Sequence, residues 1–370
     1  MTEITVNLGP RSYPIVVGAG SLDTVGERLR GLGVGRRAVL LSDSSIMARY
    51  GPRVTASLAA AGFTTTEILV PEGETAKTLD LAERCWEACL AARLDRTSTL
   101  LALGGGAVGD LGGFVAATYM RGIHLVQLPT TLLAQVDAAI GGKNAINHPR
   151  VKNLIGTFHQ PRLVIADPQA LLTLSDREFK SGLAEVVKHG IVLDAGYFAD
   201  VEAHVAELLS RDLPTLERIV TGSCRLKGRV VEADETEAQL RAVLNYGHTI
   251  GHALEAATRY SRWNHGEADA LGIAVEALIA ERLGLADPET TQRQVRLLEA
   301  IGLPVTFSGV EVGAVLEAIR HDKKAREGKV PFVLAPRIGT HRLVFDIPEE
   351  LVSAVIREIQ AEALAGGRRR

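Results

Sequence analysis

Apolar residues in the first half of the chain recur in short runs separated by polar turns and helix-period segments. Ile4, Val6 and Leu8 alternate with polar residues, and a Gly-Pro turn leads into Tyr13 to Val17, a pattern that predicts a hairpin. Further runs follow at 38–41, 66–70, 99–103, 124–128 and 163–165, with helix-period segments such as 54–61 and 78–93 between several of them. Short strands buried on both faces and alternating with helices predict a parallel sheet covered by helices on both sides. After about Leu174 the pattern changes to long segments rich in Leu, Ala, Glu and Arg with helical periodicity, at 176–194, 196–210, 213–232, 236–258, 266–284, 288–301, 311–320 and 348–364. A strand pair near 331–334 and 342–345 interrupts them. The expected architecture is an α/β domain over 1–174 followed by a mainly α-helical domain over 175–370, with the active site in the cleft between them.

Composition narrows the function classes. At 370 residues, with 46% hydrophobic and 23% charged residues, the chain is long enough for two domains with buried cores. A net charge of -3 gives no electrostatic case for nucleic acid. The N-terminus lacks a basic-then-apolar leader, and no uncharged apolar run is long enough to span a bilayer, so no membrane association is expected and the cytoplasm is the expected compartment. Three cysteines fit a reducing environment, with Cys85 and Cys89 expected as small core residues on one helix face.

Leu100 to Leu103 runs directly into Gly104-Gly105-Gly106-Ala107-Val108-Gly109-Asp110, and Leu111-Gly112-Gly113-Phe114 opens a helix. Glycines at a strand-to-helix turn let backbone amides approach a phosphate, and the helix N-terminus favours negative charge. The spacing is not GxGxxG, so a plain tight turn is equally compatible with it; its place at a strand end favours a Rossmann-like, dinucleotide-binding reading. Ser42-Asp43 ends the first buried strand, where a carboxylate can accept hydrogen bonds from a ribose. Glu72-Gly73-Glu74-Thr75-Ala76-Lys77 follows the next strand, and Pro129-Thr130-Thr131 follows the strand at Val126. Polar turns at successive strand ends collect on one edge of a parallel sheet, where a nucleotide would lie. Between Gln135 and Gln160, Asp137, Lys143, Lys152, Asn153 and His159 stand among Ala, Ile and Gly. Two lysines and an asparagine in such a setting suit a phosphate-bearing substrate.

The segment Leu240 to His252, LRAVLNYGHTIGH, has the pattern of one helix, and on it Arg241, Asn245, His248 and His252 fall within about 60° of one another around the axis. Such a polar stripe must face water, a metal or a ligand, because unpaired imidazole and guanidinium groups are costly in a core. HxxxH presents two imidazoles to one cation. Thr249 stands where an HExxH protease needs its glutamate, which argues against that hydrolytic route. Asn264-His265-Gly266-Glu267 follows shortly after, and Glu185 and Lys188 lie one turn apart in SGLAEVVKH. An exposed ion pair is the ordinary outcome for that spacing. The apolar residues around it, and the frequency of carboxylate-plus-two-histidine sites for catalytic zinc, point instead to a metal ligand. Spacing alone leaves open whether His248 shares a cation with His252 or with another histidine.

Through PEGETAK, GGGAVGDLGGF, RGIHLVQLPTTLLAQVDAAIGGK, KNLIGTFHQP, GLAEVVKHG, LNYGHTIGH, HGEA and DKK, in that order, nearly the whole chain resembles the 3-dehydroquinate synthases, members of the sugar phosphate cyclases. The resemblance implies one divalent cation, Zn2+ or Co2+, held by Glu185, His248 and His265, and places His252 on the substrate. It implies NAD bound by Asp43, by Glu72, Gly73, Glu74, Thr75, Ala76 and Lys77, and by Gly105, Gly106, Ala107, Val108, Gly109 and Asp110. Thr130, Thr131, Lys143, Lys152, Ala170, Leu171, Leu172 and Thr173 complete that set. The implied substrate, 3-deoxy-D-arabino-heptulosonate 7-phosphate, meets Asp137, Lys143, Asn153, Lys188, Lys227, Arg241, Asn245, His252 and one lysine of the Lys323-Lys324 pair, expected to be Lys324. Arg121 reaches the phosphate of a partner subunit, which implies a homodimer. The implied chemistry is transient oxidation by NAD, phosphate elimination, re-reduction and intramolecular aldol closure, with no net oxidation.

Three departures from the family pattern stand out: Asn144 in place of a small residue such as threonine, Arg150-Val151 in place of Leu-Gly, and Asp269 where valine is usual. The rival expectations are a cyclase acting on sedoheptulose 7-phosphate or glucose 6-phosphate, a metal-dependent alcohol or glycerol dehydrogenase, and a non-catalytic nucleotide-binding protein. Lys227 and Arg241, suited to a carboxylate, favour the heptulosonate, because a sugar phosphate lacking that group leaves cations unpaired.

Overall fold

The computed structural model describes residues 1–149, 151–238, 240–320 and 330–367. Contacts divide the chain into two units, Met1–Ser175 with Arg211–Thr236, and Asp176–Ser210 with Glu237–Arg370.

In the first unit the expected hairpin is β1 (Thr2–Val6) and β2 (Tyr13–Val17), paired antiparallel. The apolar runs become β3 (Arg37–Asp43), β4 (Thr64–Val70), β5 (Thr99–Gly104) and β6 (His124–Pro129). Next come β7 (Lys143–His148), β8 (Val151–Phe158) and β9 (Leu163–Ala166). Seven strands form one sheet in the order β1-β2-β9-β6-β5-β3-β4, parallel throughout except for the β1–β2 pair. Every residue of β5 and β9 is buried, the continuous apolar pattern of a strand covered on both faces.

Four helices accompany these strands: α1 (Val25–Gly31), α2 (Ser44–Ala60), α3 (Leu79–Ala91) and α4 (Gly106–Thr118). Two glycines set how closely α4 packs. A Cβ at Gly112 would lie 2.9 Å from that of Ala102, and one at Gly113 would lie 1.7 Å from Oδ1 of Asn144. Asn144 itself is buried, and its Nδ2 donates to the carbonyls of Gly142 and His159. The departure at 144 thus ties together the segments that flank the β7–β8 ribbon, with its side chain packed against Gly113 of α4.

The second unit opens with α5 (Asp176–Leu193), α6 (Ala195–Ala203) and α7 (Val205–Leu209), after which α8 (Leu213–Ala233) belongs to the first unit. It continues with α9 (His248–Ala257), α10 (His265–Arg282), α11 (Pro288–Ile301) and α12 (Val312–Arg320). The short pair β10 (Phe332–Leu334) and β11 (Arg342–Val344), and α13 (Glu349–Gly367), complete the described residues. None of their helices is long and apolar enough to cross a membrane.

Four features depart from the sequence pattern. The single division expected at 174/175 is crossed by α8, whose buried Leu216, Ile219, Val220 and Cys224 accompany its packing on β1 and β2. The same helix holds the hairpin through Glu217, which accepts from the Ala19 amide at 2.5 Å, and Glu232, which accepts from the Asn7 amide at 2.6 Å. The helix expected over 236–258 is broken into a 3-10 turn, Leu240–Asn245, and α9. Gly247 makes the break with φ 82, where any Cβ would strike Ile273 and the Asp269 carbonyl. The segment 196–210 is split at His204, which has φ -123. The stretch 135–160, to which the periodicity assigns no element, contains a one-turn π-helix and the β7–β8 ribbon.

Cys85, Cys89 and Cys224 are all free and buried. Burial pushes their thiols up to about 11, 12 and 12 respectively. A thiol titrating that high stays protonated and unreactive at pH 8. The folded protein should therefore give no rapid reaction with a disulfide reagent at pH 8, and three equivalents once unfolded in guanidinium. Even one fast equivalent in the folded state contradicts this account of the core.

Candidate active site

The strand register gathers the predicted cofactor residues on the carboxyl edge of the sheet. Asp43 stands opposite Val70, and Gly104 stands opposite Pro129, so the segments following β3, β4, β5 and β6 leave from one edge. The chain moves from β3 outward to β4, then back past β3 to β5. The strand order therefore reverses between β3 and β5, and the crevice outside such a reversal is where open α/β sheets bind ligands. Asp43 and the 105–110 turn flank it.

Asp43 is buried and caps α2, its Oδ1 accepting from the Ile46 amide at 2.9 Å and from Ser45 Oγ at 2.9 Å. Gly105 is the extended N-cap of α4, and it supplies no side chain between the helix N-terminus and a ligand. Thr130 donates its amide to the Gly104 carbonyl at 2.9 Å, while its buried hydroxyl makes no hydrogen bond. Thr131 Oγ1 caps the next turn by accepting from the Ala134 amide at 3.2 Å. Residues 170–173 lie in a 3-10 turn, Pro168–Thr173, fastened to α2 by Tyr50, whose hydroxyl lies 2.6 Å from Thr173 Oγ1.

Glu72, Gly73, Thr75 and Ala76 form the turn that carries Lys77. Lys77 is 2% exposed, and its ammonium donates to Asp110 Oδ2 at 2.6 Å and to Asn153 Oδ1. Burial raises the Asp110 carboxyl, against the pull of Lys77. Asn153 is exposed with φ 54, and its amide donates to Asn147, whose side chain in turn donates to Glu74 at 2.8 Å. The PEGETAK turn and the β7–β8 ribbon are thereby one hydrogen-bonded structure, with Lys143 and Lys152 on the ribbon. Lys227 on α8 is buried and donates to the Asp137 carbonyl at 2.7 Å and to its carboxylate. Arg121 is exposed in a turn where Met120, Arg121 and Gly122 have φ 52, 66 and 122.

The second unit brings together Glu185 from α5, His248 from α9, and His265 with Asp269 from α10, all ligand atoms lying within 4.8 Å of one another. Glu185 is fully buried, and Lys188, one turn on, is 1% exposed and paired with it. This ion pair is internal, unlike the exposed pair its spacing ordinarily gives. Glu185 Oε1 lies 3.7 Å from His248 Nε2 and 3.6 Å from His265 Nε2. Neighbouring donors in a tetrahedral zinc site with bonds of about 2.0 Å stand roughly 3.3 Å apart, so the observed separations fit a shared divalent cation. The other ring nitrogens face carboxylates, His248 Nδ1 at 3.3 Å from Asp269 and His265 Nδ1 at 3.9 Å from Glu255.

Burial pulls the His265 imidazole down, but Asp269, Glu185 and Glu255 together raise it well above its ordinary value. Burial lifts the Asp269 carboxyl to about 7, opposed by His265. A second constellation of His252, Glu255 and His265 shares one histidine with the first, with the His248 and His252 rings 5.1 Å apart. Arg241 is buried in the 3-10 turn, and Asn245 donates to Glu237 at 3.2 Å. Because Gly247 breaks the helix, Arg241 and Asn245 do not share a helical face with His248 and His252, contrary to the expected stripe. Lys323 and Lys324 lie outside the described residues. Asp269 and Glu255 were missed as members of the cluster; the i, i+4 spacing of His265 and Asp269 was the available signal.

Two family models match the chain in succession, the 3-dehydroquinate synthase N-terminal model over residues 67–181 and the C-terminal model over 182–325. A 3-dehydroquinate synthase from Pelotomaculum thermopropionicum is 51% identical over 340 residues, 92% of each chain. A solved 2-deoxy-scyllo-inosose synthase, complexed with carbaglucose-6-phosphate, NAD+ and Co2+, superposes with a TM-score of 0.87 at 27% identity, covering 96% of this chain and 99% of that one. The 2-epi-5-epi-valiolone synthase from Streptomyces hygroscopicus, with NAD+ and Zn2+ bound, gives 0.87 at 26% identity over 95% and 97%.

Replacing Lys77 by Met strands the Asp110 carboxylate beside Asn153. Breaking a buried pair costs about 3–5 kcal/mol, and the partial exposure of Asp110 reduces this to about 2–3 kcal/mol. The midpoint of denaturant unfolding should fall accordingly with an unchanged slope. An unmoved midpoint contradicts the pairing.

Proposed function

We propose, since this chain belongs to the 3-dehydroquinate synthase family, that it converts 3-deoxy-D-arabino-heptulosonate 7-phosphate to 3-dehydroquinate and inorganic phosphate. The observation that carries the reading, beside the family match, is the group of buried Glu185 and His248 with half-buried His265, a donor set suited to one divalent cation. NAD and a cation, Zn2+ or Co2+, are assigned by likeness to the cyclases solved with them. When bound, the nicotinamide supplies a reversible hydride acceptor and the cation a Lewis acid for substrate oxygens. The net reaction is that of a lyase, because the hydride removed is returned before product leaves.

The chain's residues then divide the work by their chemistry. The amides at the start of α4 favour the cofactor's anionic pyrophosphate, and Asp43, Thr130 and Thr131 offer hydrogen bonds at the adjoining strand ends. Glu74, Lys77, Lys143, Lys152 and the Ala170 to Thr173 turn complete the assigned cofactor contacts. We assign substrate recognition to Asp137, Lys143, Asn153, Lys188, Lys227, Arg241, Asn245 and His252. The cationic side chains at 188, 227 and 241 suit a substrate that carries both a carboxylate and a phosphate. Lys188 also offsets the Glu185 charge.

Arg121, exposed on its left-handed turn, supports a homodimer in which it serves the partner subunit. Three free buried thiols support work in the reducing cytoplasm.

Offered the heptulosonate phosphate with NAD and Co2+, the protein should release one phosphate per substrate with no net absorbance change at 340 nm. A chelator should stop the release. His265→Ala should lose cation binding and turnover while retaining NAD binding. NADH accumulating with product identifies a dehydrogenase instead, and phosphate release only from glucose 6-phosphate or sedoheptulose 7-phosphate identifies a different cyclase.

A further inference from the structure

Asp269 is a carboxylate in an unusual position. It is 1% exposed, one turn beyond His265 on α10, at the place where the family resemblance predicts valine. Neither of its oxygens makes a hydrogen bond. Its described partners are two imidazoles, with Oδ2 at 3.0 Å from His265 Nε2 and Oδ1 at 3.3 Å from His248 Nδ1. The surrounding charges are mixed: His265 and Lys188 attract it, while Glu185 and Glu255 repel it.

The packing makes room for it. Gly251, between His248 and His252 on α9, leaves the space that Asp269 Oδ1 occupies, and a Cβ there would lie 2.7 Å from that oxygen. A buried carboxylate without hydrogen bonds requires a cation nearby. Once His248 and His265 serve as metal ligands they are neutral, so they no longer compensate it, and Lys188 is already paired with Glu185. His265 Nε2 faces both Glu185 Oε1, at 3.6 Å, and Asp269 Oδ2, at 3.0 Å. A cation held by that nitrogen and Glu185 therefore has Asp269 Oδ2 beside it.

We propose that Asp269 is a fourth protein ligand of the divalent-cation centre, supplying a second carboxylate to the two histidines and Glu185. It rests on the cation centre proposed above. Four protein donors still leave two positions of an octahedral cation for substrate oxygens, and the added hard oxygen ligand favours octahedral divalent ions over tetrahedral zinc.

The test uses the full-length protein stripped of metal, with Asp269→Val to remove the carboxylate and Asp269→Asn to keep its shape without its charge. Co2+ titration against a competing chelator should show affinity at least about tenfold weaker in both variants, the scale on which even outer partners of metal ligands act. The visible Co2+ absorption should change in Asp269→Val. The rise in unfolding temperature on adding Co2+ should shrink in both variants. Affinity within twofold of the parent with a superimposable spectrum overturns the proposal, whatever the stability of the variants. His265→Ala tests the underlying centre separately: if it loses Co2+ while both Asp269 variants keep it, only the role of Asp269 fails.

Discussion

Burying charge is the constraint around which the second unit is built. Glu185, Lys188, Asp269 and Glu255 are all nine-tenths or more buried, with His248 and His265 among them. Groups of this kind are tolerated inside a protein only when opposite charges and hydrogen bonds compensate them, and uncompensated ones cost several kcal/mol each. Three helices, α5 and the consecutive pair α9 and α10, must deliver their side chains to one point, and the glycines allow it. Gly266 lies against the Ser181 backbone, Gly272 against the Gly247 carbonyl and Gly251 against Asp269, each at a distance no Cβ could occupy. Close helix packing and buried charge are thus two aspects of one arrangement.

The first unit solves a different problem by different means. Its chemistry lies on loops at the carboxyl edge of a buried parallel sheet, where strand register positions the loops and no internal charge cluster is needed. Glycine matters here too, because Gly112 and Gly113 let α4 lie against the sheet and the ribbon. The buried lysines of this unit are paired: Lys77 with Asp110, and Lys227 with Asp137. α8 carries Lys227 and packs on the edge hairpin, which is why a segment late in the sequence belongs to the first unit.

Most strands and long helices were legible because one-dimensional periodicity reports burial directly. The runs at 38–41, 100–103 and 163–165 are apolar without interruption, as strands covered on both faces must be, and they became β3, β5 and β9. Periodicity failed where a single backbone angle decided the outcome. Gly247 interrupts a faultless helical pattern, since nothing in the side chains around it signals a left-handed residue. The β7–β8 ribbon was obscured because its outer strand is largely exposed and its residues do not alternate cleanly. Glu185 and His248 were readable as ligands from residue type and spacing, and His265 joined them through the family resemblance. Asp269 registered only as a departure from the family pattern, because its significance depends on Glu185 and His248, which lie on other helices, as well as on His265 one turn away.

The account turns on one cation held between α5, α9 and α10. Crystals grown with Co2+ and measured at the cobalt absorption edge test this most directly. The account predicts a single anomalous peak per chain within about 2.0–2.2 Å of a Glu185 oxygen and of Nε2 of His248 and His265. A peak on His252 and Glu255 that leaves Glu185 beyond bonding distance, or no peak at all at saturating Co2+, would contradict it.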